Sequence, residues 1–152
     1  CYERALSSVR ELVRYSSGTD VTVTLENVQN NFLYSPAEFK LFVERVRATG
    51  DVGVYFDIGN AFRDGLPSRW IRSLGDDIAR VHIKDWLTAT HRVTYPLQGD
   101  IDWERVVDAL AAIDYDGWMT AEVPPYESHP TRMLQQVLEN IRFLFERPER
   151  HS

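Results

Sequence analysis

Four side chains able to hold a metal ion each close a short apolar run. Glu26 ends the run from Val21, Asp57 the run from Val52, His82 the run from Ala79, and Glu122 the run from Trp118. Three carboxylates and one imidazole form a donor set suited to one hard or borderline divalent ion such as manganese, magnesium, cobalt or zinc. Taken singly, each residue has an ordinary structural explanation: a solvated strand end, a loop cap, a hydrogen-bonded core histidine, a partner for an arginine. The order is what points to chemistry. In parallel α/β architectures the carboxyl ends of the strands converge on one face, so residues distant in sequence can meet around one ion. Lys84 lies two residues beyond His82, on the same side of an extended strand, and reads equally as a contact to a phosphate or hydroxyl or as a partner for a carboxylate.

The elements that would position these residues are legible. Leu6, Val9, Leu12 and Val13 recur at helical spacing until Ser16-Ser17-Gly18 stops them. Val21, Val23 and Leu25 then alternate with Thr22 and Thr24 as a strand does. Ser35-Pro36-Ala37-Glu38 combines a capping hydroxyl, a proline at the first helical position and a glutamate three residues after the cap. Phe39, Phe42, Val43 and Val46 give that helix its buried stripe. Further strands are expected at Val52–Asp57, at about Ile78–Ile83 and at Trp118–Val123, with helices over Pro67–Leu74, from Asp102 to Ile113, and from Pro130 onward. A sharp turn follows Asp57, and Lys84–Gly99 reads as a long loop near the site. Trp86 and Trp118 are expected to pack rather than to serve as sugar platforms.

Repetition of strand, loop and helix argues for an α/β fold of four parallel strands with outer helices. No linker divides the chain, so residues 1–152 read as one domain. Four strands are too few to close a barrel, and one sheet face lacks a cover.

Bulk properties narrow the function. With 43% apolar residues the chain can fill a core. Seventeen basic against 23 acidic residues leave a formal charge of −6, which disfavours nucleic acid as a partner. No apolar run approaches the roughly 20 residues needed to cross a bilayer. The single cysteine, Cys1, cannot form an internal disulfide, and a cytoplasmic setting is expected. Because the first residue is cysteine and no export signal follows, this start is read as other than a natural translation start.

The stretches Val23-Thr24-Leu25-Glu26-Asn27, Phe56-Asp57-Ile58-Gly59-Asn60, Val81-His82-Ile83-Lys84-Asp85 and Tyr115-Asp116-Gly117-Trp118, with Ala121-Glu122-Val123, resemble the sugar phosphate isomerase/epimerase family of xylose isomerase-like TIM barrels. The likeness is greatest to the L-ribulose-5-phosphate 3-epimerase and ketose 3-epimerase branch, and it covers only the C-terminal half of the (β/α)8 barrel. It implies one divalent ion held by Glu26, Asp57, His82 and Glu122, with Glu26 and Glu122 also acting as the acid/base pair on opposite faces of a sugar. Asn60 falls where several relatives place a histidine that touches substrate or metal, and is assigned with Lys84 to substrate binding. The turn Pro96-Leu97-Gln98-Gly99-Asp100 lacks a glutamate that relatives carry and is one residue shorter.

The implied activity is epimerisation or isomerisation of a ketose or sugar phosphate through an enediolate, weak or lost in a partial chain. Alternatives are a dehydratase of the inosose or dehydroshikimate type and a non-catalytic metal-binding half-barrel that dimerises. Type IV apurinic endonucleases share the barrel but need more histidines than His82, His91, His129 and His151 supply. The expected partners are a small sugar or sugar phosphate, together with a second copy of the chain or an N-terminal half-barrel along the open edges.

Overall fold

The computed structural model describes residues 1–146; His151 lies outside them. Strands β1 (Val23–Glu26), β2 (Val52–Asp57), β3 (Ile78–Ile83) and β6 (Trp118–Ala121) form one parallel sheet in the order β1-β2-β3-β6. Helices α1 (Tyr2–Ser16), α2 (Pro36–Arg47), α3 (Ile58–Asp64), α4 (Pro67–Leu74), α5 (Trp103–Ala111) and α6 (Arg132–Phe145) surround it. This is the expected half of a barrel: four parallel strands with helices outside.

Local chemistry sets the boundaries. Ser35 Oγ accepts from Glu38 N while Glu38 Oε2 accepts from Ser35 N, so the capping box starts α2 behind Pro36. Asp102 caps α5 through Arg105 N. Val54, Phe56, Val81 and Ile83 turn outward and are fully buried against Val43 and Val46 of α2 and Ile71 of α4. Each such side chain contributes about 1.5–3 kcal/mol of burial, which makes this outer layer the main source of stability.

Several boundaries differ from the sequence reading. The turn after Asp57 is helix α3, which Asp57 itself caps. Val21 is exposed and precedes β1, which begins at Val23, and α6 starts at Arg132 rather than Pro130. The supposed loop at Lys84–Gly99 contains an antiparallel hairpin, β4 (Asp85–Leu87) with β5 (Arg92–Thr94). Its strands are only three residues each, too short to show a period.

A bulge between β2 and β3 pairs Val54 with Ile78 and then Tyr55 with Arg80, leaving Ala79 without a partner. Gly53 makes room for it, since a Cβ there would stand 2.7 Å from Ala79 Cβ. The shift keeps His82 level with Asp57. On the face opposite the helices, Arg80, Trp118 and Thr120 are exposed. Trp118, expected to pack, is 74% exposed because no layer covers this face among the described residues, whereas Trp86 is buried as expected. No helix among the described residues is long and apolar enough to cross a membrane.

Candidate metal centre

Glu26 ends β1, Asp57 ends β2, His82 is the penultimate residue of β3, and Glu122 follows β6. The ladder continues one step past β6, where Glu122 N donates to Ile83 O at 3.0 Å and fixes the glutamate's height. Across a flat sheet β1 and β6 would lie about 14 Å apart at three strand spacings. Yet the four candidate ligand atoms all lie within 4.8 Å of one another. Curvature of the sheet and the length of the two glutamate side chains bring donors from the outermost strands to one point.

His82 Nδ1 lies 3.0 Å from Glu26 Oε1, 3.7 Å from Asp57 Oδ2 and 3.9 Å from Glu122 Oε2. Its ring rests on Tyr55, with centroids 3.9 Å apart at 34°, which restricts the imidazole's rotation. Lys84 Nζ donates to Glu122 Oε2 at 2.6 Å and makes an ion pair with Asp57 Oδ2 at 2.8 Å. Asp57 Oδ2 is buried, and the Lys84 ammonium is the one polar group that satisfies it among the described residues. Its other oxygen, Oδ1, accepts from Asn60 N at 2.7 Å.

Charge and burial act differently on the two carboxylates that share Lys84. Burial, the largest influence, lifts Asp57 to about 6 despite the opposing pull of Lys84 and the Asn60 amide. Glu122 is far more open, and the hydrogen bond from Lys84 holds it below the usual carboxylate range. Burial also works against the Lys84 ammonium, but the two carboxylates outweigh it and raise its pKa.

These residues fit a divalent ion. One buried carboxylate oxygen has only the Lys84 ammonium as partner, three further donors from separate strands lie within 4.8 Å of it, and the set of carboxylates and imidazole matches manganese, magnesium, cobalt or zinc. The structure thus brings together all four expected ligands and Lys84. Asn60 stands at the rim, with its Nδ2 donating to Asn27 O at 3.0 Å.

Two residues at the site were not singled out from the sequence. Asn27 is buried and clasps the next strand, donating Nδ2 to Asp57 O at 2.9 Å and accepting Asp57 N at 2.7 Å. Asp85 is fully buried and accepts from Trp86 N, Leu97 N, Ile101 N and Trp103 Nε1 at 2.7–3.2 Å. It ties the hairpin and the turn after it to the base of Lys84. Each directly follows a singled-out residue, Glu26 or Lys84, and that adjacency was the available signal. An apolar recess of about 130 Å³, lined by Leu25, Val28, Phe32, Leu33 and Phe39, opens beside Glu26.

The family model for xylose isomerase-like TIM barrels matches residues 1–147. Among solved structures, a D-psicose 3-epimerase from Clostridium cellulolyticum H10, determined with D-tagatose, is 22% identical, with a TM-score of 0.74 over 94% of this chain and 56% of its own. A probable 3-DHS dehydratase, AsbF, involved in petrobactin synthesis in Bacillus anthracis, is 12% identical, with a TM-score of 0.75 over 90% of this chain and 54% of its own. The IOLI protein, solved with a bound zinc atom, is 18% identical, with a TM-score of 0.80 over 94% of this chain and 55% of its own. At these identities the likeness carries the fold alone. The chain spans about half the length of these structures. No curated protein sequence matches it significantly.

Proposed function

This chain belongs to the xylose isomerase-like TIM barrel family, and from that premise we propose that it is the metal-bearing half of a divalent-metal-dependent isomerase or epimerase acting on a ketose or sugar phosphate. The observation that carries the reading is the meeting of four donors, one from each strand end, within 4.8 Å. Glu26, Asp57, His82 and Glu122 would hold the ion. When bound, a divalent ion supplies Lewis-acid stabilisation of negative charge on a substrate oxygen.

The rest is done by side chains. Glu26 and Glu122 approach the centre from opposite ends of the sheet, so one carboxylate can take the proton beside the carbonyl while the other returns a proton from the far face. Asn60 and Lys84 are placed to orient substrate hydroxyls or a phosphate. The uncovered inner face, with Arg80, Trp118 and Thr120, requires a second half-barrel to exclude water, supplied by further chain or by a second copy. A cytoplasmic location accords with Cys1 as an exposed free thiol.

The test has two parts. Metal analysis of the purified chain should find about one divalent ion, lost in Glu26→Ala and Glu122→Ala. Incubation with manganese and a panel of ketoses and ketose phosphates, alone and with a complementing half-barrel, should then give epimerised or isomerised sugar. No turnover of any substrate in either form would sink the catalytic reading, while ultraviolet absorbance of an unsaturated product from inosose or dehydroshikimate would shift it to the dehydratase class.

A further inference from the structure

We infer that Lys84 competes with the divalent ion for Asp57 Oδ2 and Glu122 Oε2, holding the centre assembled when no ion is bound and weakening the ion's retention when one is. The inference rests on the metal-site reading above and assigns Lys84 a role in that site separate from substrate contact. Its ammonium stands 2.8 Å from one of these oxygens and 2.6 Å from the other. The same two oxygens are 3.7 and 3.9 Å from His82 Nδ1, so both point at the space a shared ion would fill.

The lysine is built into place rather than draped over the surface. Its side chain is 8% exposed, and its stem runs over the bare backbone of Gly59, where a Cβ would stand 2.5 Å from Lys84 Cγ. The next residue, Asp85, is anchored by its four hydrogen bonds. With the stem and backbone held, only the end of the side chain is left to yield to an ion.

Charge gives the competition a direction. Three carboxylates and one ammonium leave two negative charges at the centre, which a divalent ion neutralises. With Lys84 neutral, the loaded centre would keep one negative charge, bind its ion more tightly and oppose negative charge growing on a substrate oxygen. A residue that merely supported the ligands would act the other way, since removing such a partner weakens metal binding by about 10–100-fold.

Manganese affinity of the full chain, measured by equilibrium dialysis, separates these cases. Lys84→Met should bind manganese about tenfold more tightly than wild type, against the 10–100-fold weakening expected for a supporting partner. Unchanged or weaker binding in a folded variant overturns the competition. Wild-type protein gives a second readout that does not depend on the variant's folding: titration with magnesium should shift the nuclear magnetic resonance signals of the Lys84 ammonium and its neighbouring methylene. Binding of magnesium without such a shift overturns the inference and leaves the metal site standing. Failure of both wild type and Lys84→Met to take up any ion overturns both.

Discussion

Gly59 lies directly against the stem of Lys84: a Cβ at position 59 would stand 2.5 Å from Lys84 Cγ and 3.0 Å from its Cε. The second residue of helix α3 is thus one whose missing side chain leaves the channel through which the lysine reaches the centre. Gly59→Ala should therefore cost about 1–3 kcal/mol through overpacking, although alanine is the better helix former. Urea denaturation checks the sign, and a neutral or stabilising result would mean that the stem moves aside freely.

Asp85 is the keystone of the segment that follows. Asp85→Ala would leave Trp86 N, Leu97 N, Ile101 N and Trp103 Nε1 without their acceptor in a largely buried position. A loss of about 3 kcal/mol or more is expected, since each stranded buried donor costs roughly 1–3 kcal/mol. Gly99 permits this arrangement, because a Cβ there would stand 2.3 Å from Asp85 Oδ1. Hydrogen exchange should show the amides of Trp86, Leu97 and Ile101 losing protection well before those of β2.

How much of this was legible in the sequence depends on where the governing interactions lie. The α2 cap could be read because Ser35, Pro36 and Glu38 act on one another within four residues. Strand β2 could be read because its outward residues form an apolar run, and Asp57 at its end followed from that. Helix α3 was missed because its seven residues are started by Asp57, a residue already assigned to metal, and are too few to show a helical period before Gly65 and Pro67 end them. The hairpin was missed because a single buried carboxylate organises it across as many as 18 residues, which no local period records. Trp118 was misjudged for another reason: none of the described residues covers the sheet face on which it lies.

Asp57 makes the stability of the metal-free protein depend on pH. Its folded pKa, raised to about 6 chiefly by burial, exceeds the value of about 3.9 expected in the unfolded chain. Between those values the native state binds the extra proton at Asp57, so this group's contribution to stability is greatest at the acidic end of the window and falls as pH rises towards 6. With a chelator present, the stability of wild type relative to Asp57→Asn, read from urea midpoints, should decline across that range. Metal uptake should run the other way, weakening below about pH 6 as the proton occupies the oxygen the ion needs.

Glu26 and Glu122 can be told apart by what each leaves behind. If the two carboxylates work from opposite faces of one substrate carbon, replacing either by glutamine keeps an oxygen donor near the ion but removes one of the two bases. In the assembly that turns over, each variant should lose epimerisation by about 10²–10⁴-fold. Each should still exchange with solvent the proton on the face its remaining carboxylate serves. Run in deuterated water, Glu26→Gln and Glu122→Gln should therefore label opposite epimers of the same sugar, with deuterium read by mass spectrometry. Labelling of the same epimer by both variants would place both carboxylates on one face and overturn the opposed pair. Epimerisation kept in Glu26→Gln and lost in Glu122→Gln would show instead that Glu122 alone serves both faces.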